Sequence, residues 1–340
     1  MKQYKTHQHL LLLTCLVLLL LCSASLPADK TIPVYTFSNQ DDTFSSIQHA
    51  INLAQPGDTI HLYPGLYYEN IIINKSITLQ GENKNTVILR GYNQTLPGVL
   101  IQASNVHINN ITITNYSIAL YIITDHTITN TTIADTIIIN NTGGIFLGGK
   151  SSHTYIYNNN ISQNTGDGIY LYNSYHNVIY ENILTNHSNY AIVLWNQSSN
   201  NTIYNNNLNN NEHGIALKRW SNTNNIHNNS ITYTKNFGIH IKHSYKNTIL
   251  KNNISNNTYA VYLADCSDNI LTQNSIIDNY YGIYLVDSKN NSIQSDNIFF
   301  GNTYDSSERS KTFQTPAIQL PFFIIILLSF IIIKKKCNTY

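Results

Sequence analysis

The chain has 340 residues, of which 42% are hydrophobic and only 11% are charged, so it can bury a sizeable core. The formal net charge is +1, but between residues 29 and 315 acidic side chains outnumber basic ones by 18 to 14. A slightly acidic body has no surface for neutralising phosphates, which argues against nucleic acid as a partner.

Residues 1–25 have the order of features found in secretory signal peptides. Two early lysines precede an apolar run over residues 10–22, and small residues follow at 23–25. We therefore expect export to the extracellular face of the membrane, where some of the about fourteen Asn-x-Ser/Thr sequons could carry glycans. Cys266 is the only cysteine between the two terminal apolar segments, so no intramolecular disulfide is expected there.

A helix is predicted over residues 42–54, where Phe44, Ile47, Ala50, Ile51 and Ala54 recur at helical spacing. The Pro-Gly-Asp sequence at 56–58 ends this pattern. We expect this amphipathic helix to cap the strands that follow, because an open end would expose both apolar side chains and strand edges.

Irregular strand-like segments follow over residues 59–142. Apolar and β-branched residues are concentrated at 70–79, 86–89, 106–113 and 117–123, whereas strong helix formers such as Ala, Glu and Lys are sparse. This composition favours strands over helices.

The region 143–300 is built from a sequence repeat, whose most regular motif is Ile-x-x-Asn-x-(Ile/Leu). Successive copies begin 22–24 residues apart, and the last has Asp296 in place of the asparagine. A fixed period of this length is typical of repeat architectures. The copies span Ile156–Ile161, Ile179–Leu184, Ile203–Leu208, Ile226–Ile231, Ile249–Ile254, Leu271–Ile276 and Ile293–Ile298.

Two further motifs keep the same register. Gly-Ile-x-(Leu/Ile) starts at residues 144, 168, 214, 238 and 282, alanine replaces its glycine at Ala191 and Ala260, and Ser-x-x-Asn lies between the other two motifs. Alternate residues of a strand face inward, so coils stacked about 4.8 Å apart would form ladders of identical aliphatic side chains. Asparagine suits the bends, since it tolerates a left-handed backbone and its amide can pair with the asparagine one coil away.

A leucine-rich repeat has a comparable period. It requires the order Leu-x-Leu-x-x-Asn and a helical stretch in each coil, and this chain has neither. The repeat therefore predicts an all-β parallel β-helix with coils of 22–24 residues.

The segment 46–81 resembles the opening of pectate-lyase-like β-helices. The resemblance rests on Ser-Ile-Gln at 46–48, Ala-Gln-Pro-Gly-Asp-Thr-Ile at 54–60, Pro-Gly-x-Tyr at 64–67, Glu-Asn-Ile at 69–71 and Lys-Ser-Ile-Thr-Leu-x-Gly at 75–81. The repeats at 143–298 are similar to the NosD-type carbohydrate-binding and sugar-hydrolase domain. Together these resemblances cover about residues 31–305 and imply a right-handed, single-stranded parallel β-helix. Members of these families include polysaccharide lyases and hydrolases, surface adhesins and a periplasmic accessory factor for copper-enzyme maturation.

Alignment of the coils places a strip of polar and aromatic residues on the outside of the predicted β-helix. The residue two places after the end of each Gly-Ile-x-(Leu/Ile) motif is polar or charged, and aromatic or basic residues flank it. In neighbouring coils such residues lie about one strand spacing apart. The candidate site residues are Tyr170, Tyr172, Trp195, Arg219, Lys242, His243, Tyr262, Asp265 and Asp287.

Three interpretations of this strip remain open. It could be a sugar-binding platform, with rings that stack on pyranose faces and charged groups that bind hydroxyls or uronates. It could serve a polysaccharide lyase, in which Asp265 and Asp287 hold Ca²⁺ and Arg219 or Lys242 is the base. It could also be a solvated face with exposed tyrosines and ion pairs between coils.

The local signatures of enzymes on this fold are missing from the repeats. There is no Asn-Thr-Asp, no Gly-His-Gly and no Asp-Asp pair within them, so the carboxylate pair of a glycosidase is not evident. We expect no cofactor, and Ca²⁺ only under the lyase alternative.

The sequence gives little support for copper binding. His240 and His243 are three residues apart on a predicted strand and point to opposite faces, so they should not bind one ion together. The chain has one methionine and its body one cysteine, whereas copper sites favour sulfur ligands. A NosD-like role in copper-enzyme maturation is the minor alternative.

The C-terminal residues predict a membrane anchor. Residues 306–316 form a linker, the apolar run 317–333 can span a bilayer, and the lysines that follow place the tail 334–340 in the cytoplasm. A sorting tail that is removed on attachment to a cell wall or lipid has the same composition, so retention and processing both remain open.

The sequence as a whole predicts a non-catalytic cell-surface protein. Its partner would be a polysaccharide or glycoprotein surface, in a glycan-binding, adhesin-like or envelope-structural role. The alternative is a surface-tethered polysaccharide lyase or glycoside hydrolase.

Overall fold

A computed structural model describes residues 29–36, 45–92, 94–123 and 125–309. These residues form a right-handed solenoid of about 11 turns, in which three parallel sheets run the length of the stack. Each regular coil contributes one strand to each sheet, so the parallel β-helix predicted from the repeat is confirmed.

Sheet 1 has twelve strands and includes the first strand of each Ile-x-x-Asn-x-Ile repeat. In order along the stack, its strands are β1 (Thr31–Val34), β2 (Thr59–Leu62), β5 (Thr78–Gly81), β8 (His107–Asn109), β11 (Thr132–Ala134), β14 (Tyr155–Tyr157), β17 (Val178–Tyr180), β20 (Thr202–Tyr204), β23 (Asn225–His227), β26 (Thr248–Leu250), β29 (Ile270–Thr272) and β32 (Ser292–Ile293).

Sheet 2 has eleven strands and holds the second half of the same repeat. Its strands are β3 (Gly65–Tyr67), β6 (Val87–Arg90), β9 (Thr112–Thr114), β12 (Ile137–Ile139), β15 (Asn160–Ser162), β18 (Ile183–Thr185), β21 (Asn207–Asn209), β24 (Ser230–Thr232), β27 (Asn253–Ser255), β30 (Ser275–Ile277) and β33 (Ile298–Phe300).

Sheet 3 has eleven strands and carries the Gly-Ile-x-(Leu/Ile) motif. Its last strand extends to Arg309, so residues 306–309 of the predicted linker are strand, paired in parallel with the preceding coil. The strands are β4 (Ile71–Ile73), β7 (Val99–Ile101), β10 (Ile118–Ile122), β13 (Gly143–Leu147), β16 (Ile169–Tyr172), β19 (Tyr190–Trp195), β22 (His213–Lys218), β25 (Phe237–Lys242), β28 (Tyr259–Ala264), β31 (Tyr281–Val286) and β34 (Tyr304–Arg309).

Two of the strand-like segments predicted before residue 143 each turn a corner of the solenoid. The segment 70–79 contains β4 and the start of β5, and the segment 106–113 contains β8 and the start of β9. Periodicity does not reveal such corners, because apolar residues continue through the bend.

The Gly-Ile-x-(Leu/Ile) motif is explained by close contact between coils. Its Ile and Leu side chains are completely buried in the core in the coils of β16 and β22. A Cβ atom added at Gly144 or Gly214 would lie 2.2 Å from the carbonyl oxygen of Gly168 or Gly238 in the next coil. A larger residue at Gly144 or Gly214 would therefore collide with the next coil, whereas the coils of Ala191 and Ala260 accommodate a Cβ atom at the same motif position.

The two roles predicted for asparagine fall on different residues of the repeat. The asparagine of Ile-x-x-Asn pairs with asparagines in neighbouring coils, and the residue before it has the left-handed backbone. Asn206 is buried, and its side chain bonds to Asn182 in the preceding coil and Asn229 in the following coil. The left-handed backbone belongs to the preceding residue, as in Asn205 (φ 54°) and Glu181 (φ 55°). Pairing between coils is confirmed, but the ladder asparagines themselves are not the left-handed residues.

The helix α1 spans Ile47–Leu53 and packs against β1, β2 and β4. Ser46 is its N-cap, and the Glu69 carboxylate accepts hydrogen bonds from the Ile47 and Gln48 N–H groups at 2.8 and 3.0 Å. The helix is therefore shorter than the predicted 42–54, of which residues 42–44 lie outside the described part of the chain. Its role as a cap stays a prediction.

The predicted signal peptide (1–25), membrane segment (317–333) and tail (334–340) lie outside the described residues. Within the described residues, no helix has the length and hydrophobicity needed to span a membrane.

Candidate functional site

The outer face of sheet 3 presents three rows of side chains that run along the stack. Rows B and C follow the alternation of inward and outward residues along each strand, and row A stands at the start of the strand, three residues before row B. Parallel pairing fixes the members of each row. Row A is Ile118, Gly143, Asp167, Tyr190, His213, Phe237, Tyr259, Tyr281 and Tyr304. Row B is Tyr121, Phe146, Tyr170, Val193, Ala216, His240, Tyr262 and Tyr284, and row C is Tyr172, Trp195, Lys218, Lys242, Ala264 and Val286.

Row A is a continuous ladder of stacked rings from Tyr190 to Tyr304. Neighbouring ring centroids lie 4.4 to 5.3 Å apart, through His213, Phe237, Tyr259 and Tyr281. In this arrangement most ring faces are covered by the next ring. Row A therefore offers solvent mainly ring edges and hydroxyl groups.

The predicted strip lies beside the sheet and not on it. Arg219, His243, Asp265 and Asp287 each occupy the first turn position after a strand of sheet 3, with φ between 47° and 52°. Their backbone N–H groups donate to the carbonyl oxygen of the last residue of the sheet 3 strand in the next coil. These bonds keep the turns in register. Left-handed turns thus hold these side chains at the edge of the face.

Some of the predicted residues come together. The Arg219 guanidinium lies 5.0 Å from the Trp195 ring centroid, and Tyr170 and Trp195 pack against a buried cluster on the outer face. Tyr172 is 41% exposed next to Trp195 in row C.

Other predicted residues lie further along the stack. His243 Nε2 is 3.9 Å from Asp265 Oδ2. Tyr262 lies in row B, where its ring centroid is 5.6 Å from that of Tyr284 in the next coil. Lys242 is exposed two coils from Trp195, and Asp287 occupies the turn one coil beyond Asp265.

The most closely connected polar cluster on this face was not predicted. The Tyr190 hydroxyl is 2.7 Å from Lys218 Nζ, which donates to it, and 3.3 Å from His240 Nδ1. The Tyr190 N–H donates to the Asp167 carboxylate at 3.0 Å. We call Asp167, Tyr190, Lys218 and His240 the tyrosine cluster.

Small residues make room for this cluster. Row B carries Val193 and Ala216 at its middle, and the Tyr190 ring packs on both. Because no large side chain stands there, the Tyr190 hydroxyl reaches His240, 50 residues further along the chain.

Burial shifts the protonation of the tyrosine cluster. It raises the pKa of Asp167 to about 6, although the Tyr190 N–H and the Lys218 ammonium oppose the change. Burial also lowers the pKa of Lys218 to about 8. Burial and the nearby Lys218 charge together lower the pKa of His240 to about 3. Burial raises the pKa of Tyr190 to about 12. At neutral pH His240 is therefore neutral, and a small fraction of Lys218 is too.

Two buried imidazole nitrogens beside Tyr190 have no hydrogen-bond partner within the described residues. They are His213 Nδ1 and His240 Nε2. Buried polar atoms are nearly always paired, so an unpaired one calls for an explanation, such as an ordered water, a bound ligand or a catalytic role.

The sequence contains one signal for this region. Two successive coils have an extra turn residue, so that Asn196–Gln197 and Arg219–Trp220 are pairs of left-handed residues, whereas the coils of Asn173 and His243 have one. Trp220 is 53% exposed at this site. The 24-residue spacing between the second and third repeats marks the insertion at Gln197.

Two family profiles match overlapping parts of the chain. A right-handed β-helix region matches residues 97–245, and the periplasmic copper-binding protein NosD matches residues 208–320. The second description names a periplasmic location for the proteins of that family. No curated protein matches the sequence significantly.

The described side chains do not fit a copper centre. Within residues 29–36, 45–92, 94–123 and 125–309, no group of three or more His, Cys, Asp or Glu side chains could hold a metal ion. His240 faces Tyr190 and His243 faces Asp265, so the two histidines predicted to diverge have different partners.

Several solved structures have a similar fold. The A-module of mannuronan C-5 epimerase AlgE4 from Azotobacter vinelandii is 16% identical, with a TM-score of 0.58 over 78% of this chain and 93% of its own. The Dettilon tailspike protein is 15% identical, with a TM-score of 0.57 over 79% and 68%. An alginate lyase from a Paenibacillus strain is 15% identical, with a TM-score of 0.51 over 80% and 97%. The repeats, the three-sheet solenoid and these matches together show that the chain has the right-handed parallel β-helix fold.

Proposed function

We propose that the outer face of sheet 3 binds glycan chains and that sugars with an acidic group bind beside Trp195. One observation carries this proposal: the indole of Trp195 has two cations next to it, Arg219 at 5.0 Å and Lys218 at 5.4 Å. An aromatic face stacks on a pyranose ring, and a neighbouring cation attracts a carboxylate or sulfate group. The structural neighbours share only the fold at their low identity, so the proposal depends on these side chains.

The arrangement leaves one side of Trp195 available. Both cations come from the next coil, and the neighbour on the other side is Tyr172. Within the described residues, Tyr172 makes no ring contact with Trp195. A sugar ring can therefore approach from the Tyr172 side while its acidic group reaches Lys218 or Arg219.

Replacement of Trp195 with alanine is expected to weaken binding of acidic oligosaccharides by about ten- to thirtyfold, because central aromatic anchors contribute most of the affinity at such sites. Calorimetric titration with alginate and pectate hexasaccharides measures this change, and binding should weaken as salt is added. The control is Tyr155→Ala, which removes an exposed aromatic residue from sheet 1. Unchanged affinity in Trp195→Ala, or an equal loss in the control, would contradict the proposal.

A second candidate function is lyase chemistry at the tyrosine cluster, favoured by the short contact between Tyr190 and Lys218. The neutral Lys218 amine would remove the C5 proton of a uronate. The C5–H electron pair would form the C4–C5 double bond, and the Tyr190 hydroxyl would protonate the departing oxygen as its bond to C4 breaks.

Under this second function, Tyr190→Phe should lower kcat by about 100-fold, since the proton donor is lost and the ring is kept. Formation of the unsaturated uronate, followed by ultraviolet absorbance, measures the rate. The rate should rise with pH up to about 8, the pKa of Lys218, because the base must be neutral. Tyr204→Phe on sheet 1 is the matched control. If the protein binds acidic oligosaccharides without any turnover, the first function stands and the second is wrong.

We also propose that the protein acts at the cell surface, held by the segment 317–333. A rigid β-helix close to the membrane could present sheet 3 to polysaccharides of the envelope or to a glycoprotein surface. This part of the proposal depends on the sequence of the terminal segments.

A further inference from the structure

Row A lacks a side chain at one coil, and an open cleft lies there. Gly143 stands between Ile118 and Asp167, in the row that carries rings in the later coils. The cleft has a volume of about 210 Å³ and is lined by Gly143, Gly144, Phe146, Gly166, Asp167 and Tyr170, together with Ser117, Ile118, Thr142 and Ile145. We call it the Gly143 cleft.

The walls of the cleft combine flat apolar surface with one carboxylate. Phe146 meets Tyr170 edge to face, with centroids 5.0 Å apart and planes at 64°, and meets Tyr121 in the same way at 5.0 Å and 68°. Neither neighbour stacks in parallel on Phe146. The Asp167 carboxylate accepts one hydrogen bond from the described residues, from the Tyr190 N–H. A carboxylate has two oxygens and about four acceptor positions, so it can accept more.

The size of the cleft selects a small ligand. Sites for drug-sized molecules have volumes of about 300–1,000 Å³, so a cleft of about 210 Å³ suits a single ring. The carboxylate of Asp167 accepts hydroxyl donors and repels another carboxylate, which favours a neutral sugar over a uronate.

We propose that the Gly143 cleft binds one neutral sugar ring, which packs against Phe146 or Tyr170 and donates hydroxyl hydrogen bonds to Asp167. This inference rests on the proposed glycan-binding function and adds a second position to it. The cleft lies on the same face as Trp195, at the N-terminal side of the tyrosine cluster. A single glycan chain could then place a neutral residue in the cleft and an acidic residue beside Trp195.

The proposal is tested by filling the cleft. A Cβ atom at Gly143 would meet only ordinary contacts, 3.5 Å from Ile118 Cγ1 and 3.6 Å from the Ser117 carbonyl oxygen, so the backbone there accepts a side chain. In Gly143→Trp the indole is expected to occupy the cleft. Asp167→Asn keeps the size of the side chain and removes its charge. Thr202→Trp, which adds an indole to the outer face of sheet 1, is the matched control.

The probes are the methyl glycosides of glucose, galactose, mannose, xylose and N-acetylglucosamine, together with free glucuronate and galacturonate. Saturation-transfer NMR should show at least one neutral glycoside bound and neither uronate bound in the cleft. The neutral signal should disappear in Gly143→Trp, fall at least fivefold in Asp167→Asn and remain in Thr202→Trp. A neutral signal that survives in Gly143→Trp, the absence of any neutral signal, or displacement by the uronates would overturn the proposal.

The same variants separate this inference from the proposed function. Binding of acidic hexasaccharides that is lost in Trp195→Ala, without any neutral signal from the cleft, would refute the cleft alone. A neutral signal that depends on Gly143, without acidic binding at Trp195, would refute the proposed site at Trp195 and leave the cleft.

Discussion

Replacement of Asn206 with alanine is expected to lower the free energy of unfolding by about 4 kcal/mol, since two buried backbone groups would lose their partners. The Asn206 side chain accepts from the Asn182 N–H at 3.0 Å and donates to the Ile179 carbonyl oxygen at 2.9 Å. Both bonds lie inside the stack, where water cannot replace them. Urea denaturation of the purified protein measures the loss.

The neighbouring residue provides a matched control. Asn207 is exposed on β21, and surface substitutions of this kind change stability by about 0.5 kcal/mol or less. Asn207→Ala should therefore leave the urea midpoint nearly unchanged. If the two variants unfold alike, the asparagine ladder is not a main source of stability.

Replacement of His187 with asparagine is expected to make the fold less sensitive to acid. The wild type should lose about 3 kcal/mol more unfolding free energy than the variant as the pH is lowered. His187 stands in the position that Asn164 and Asn211 occupy in the adjacent coils, and its Nε2 bonds to the Ile161 carbonyl oxygen at 3.1 Å. Burial lowers the pKa of His187 to about 4 from the usual 6.5. As pH falls from about 6.5 to 4, the unfolded chain takes up a proton that the folded chain excludes, so stability is lost over this interval.

The measurement is the difference in unfolding free energy between the wild type and His187→Asn at pH 7 and at pH 4. Other buried histidines, such as His240, are present in both proteins, and so is Asp167, whose raised pKa acts in the opposite direction. Their contributions cancel in the difference, which should grow by about 3 kcal/mol at the lower pH. Parallel stability curves would show that His187 does not titrate with folding.

The register of the outer face could be predicted from the repeats. The alignment of Tyr170 with Val193 and of Trp195 with Lys218 is found in the strand pairing. Such agreement is expected in a solenoid, because each coil packs on its two neighbours and the spacing of the motifs determines which residues lie side by side.

The tyrosine cluster could not be predicted in the same way. Tyr190 and His240 belong to different rows and lie 50 residues apart, yet their side chains meet across Val193 and Ala216. Alignment identifies the residues above and below Tyr190, but the direction of its ring depends on the space that small residues leave beside it. Asp265 and Asp287, which alignment places in one strip with Arg219, follow β28 and β31, three and four coils beyond the β19 strand of Trp195, so distance along the stack keeps them from it.

The sequence alone determined the β-helix, its three motifs and rows B and C of its outer face, because a strict period and an inward-facing aliphatic pattern permit one stacking register. Only the tertiary structure decided which outward side chains meet and where a cleft remains. The physical reason is that inward positions are constrained by close packing between coils, whereas an outward side chain is placed by the size and charge of neighbours in other rows and other coils.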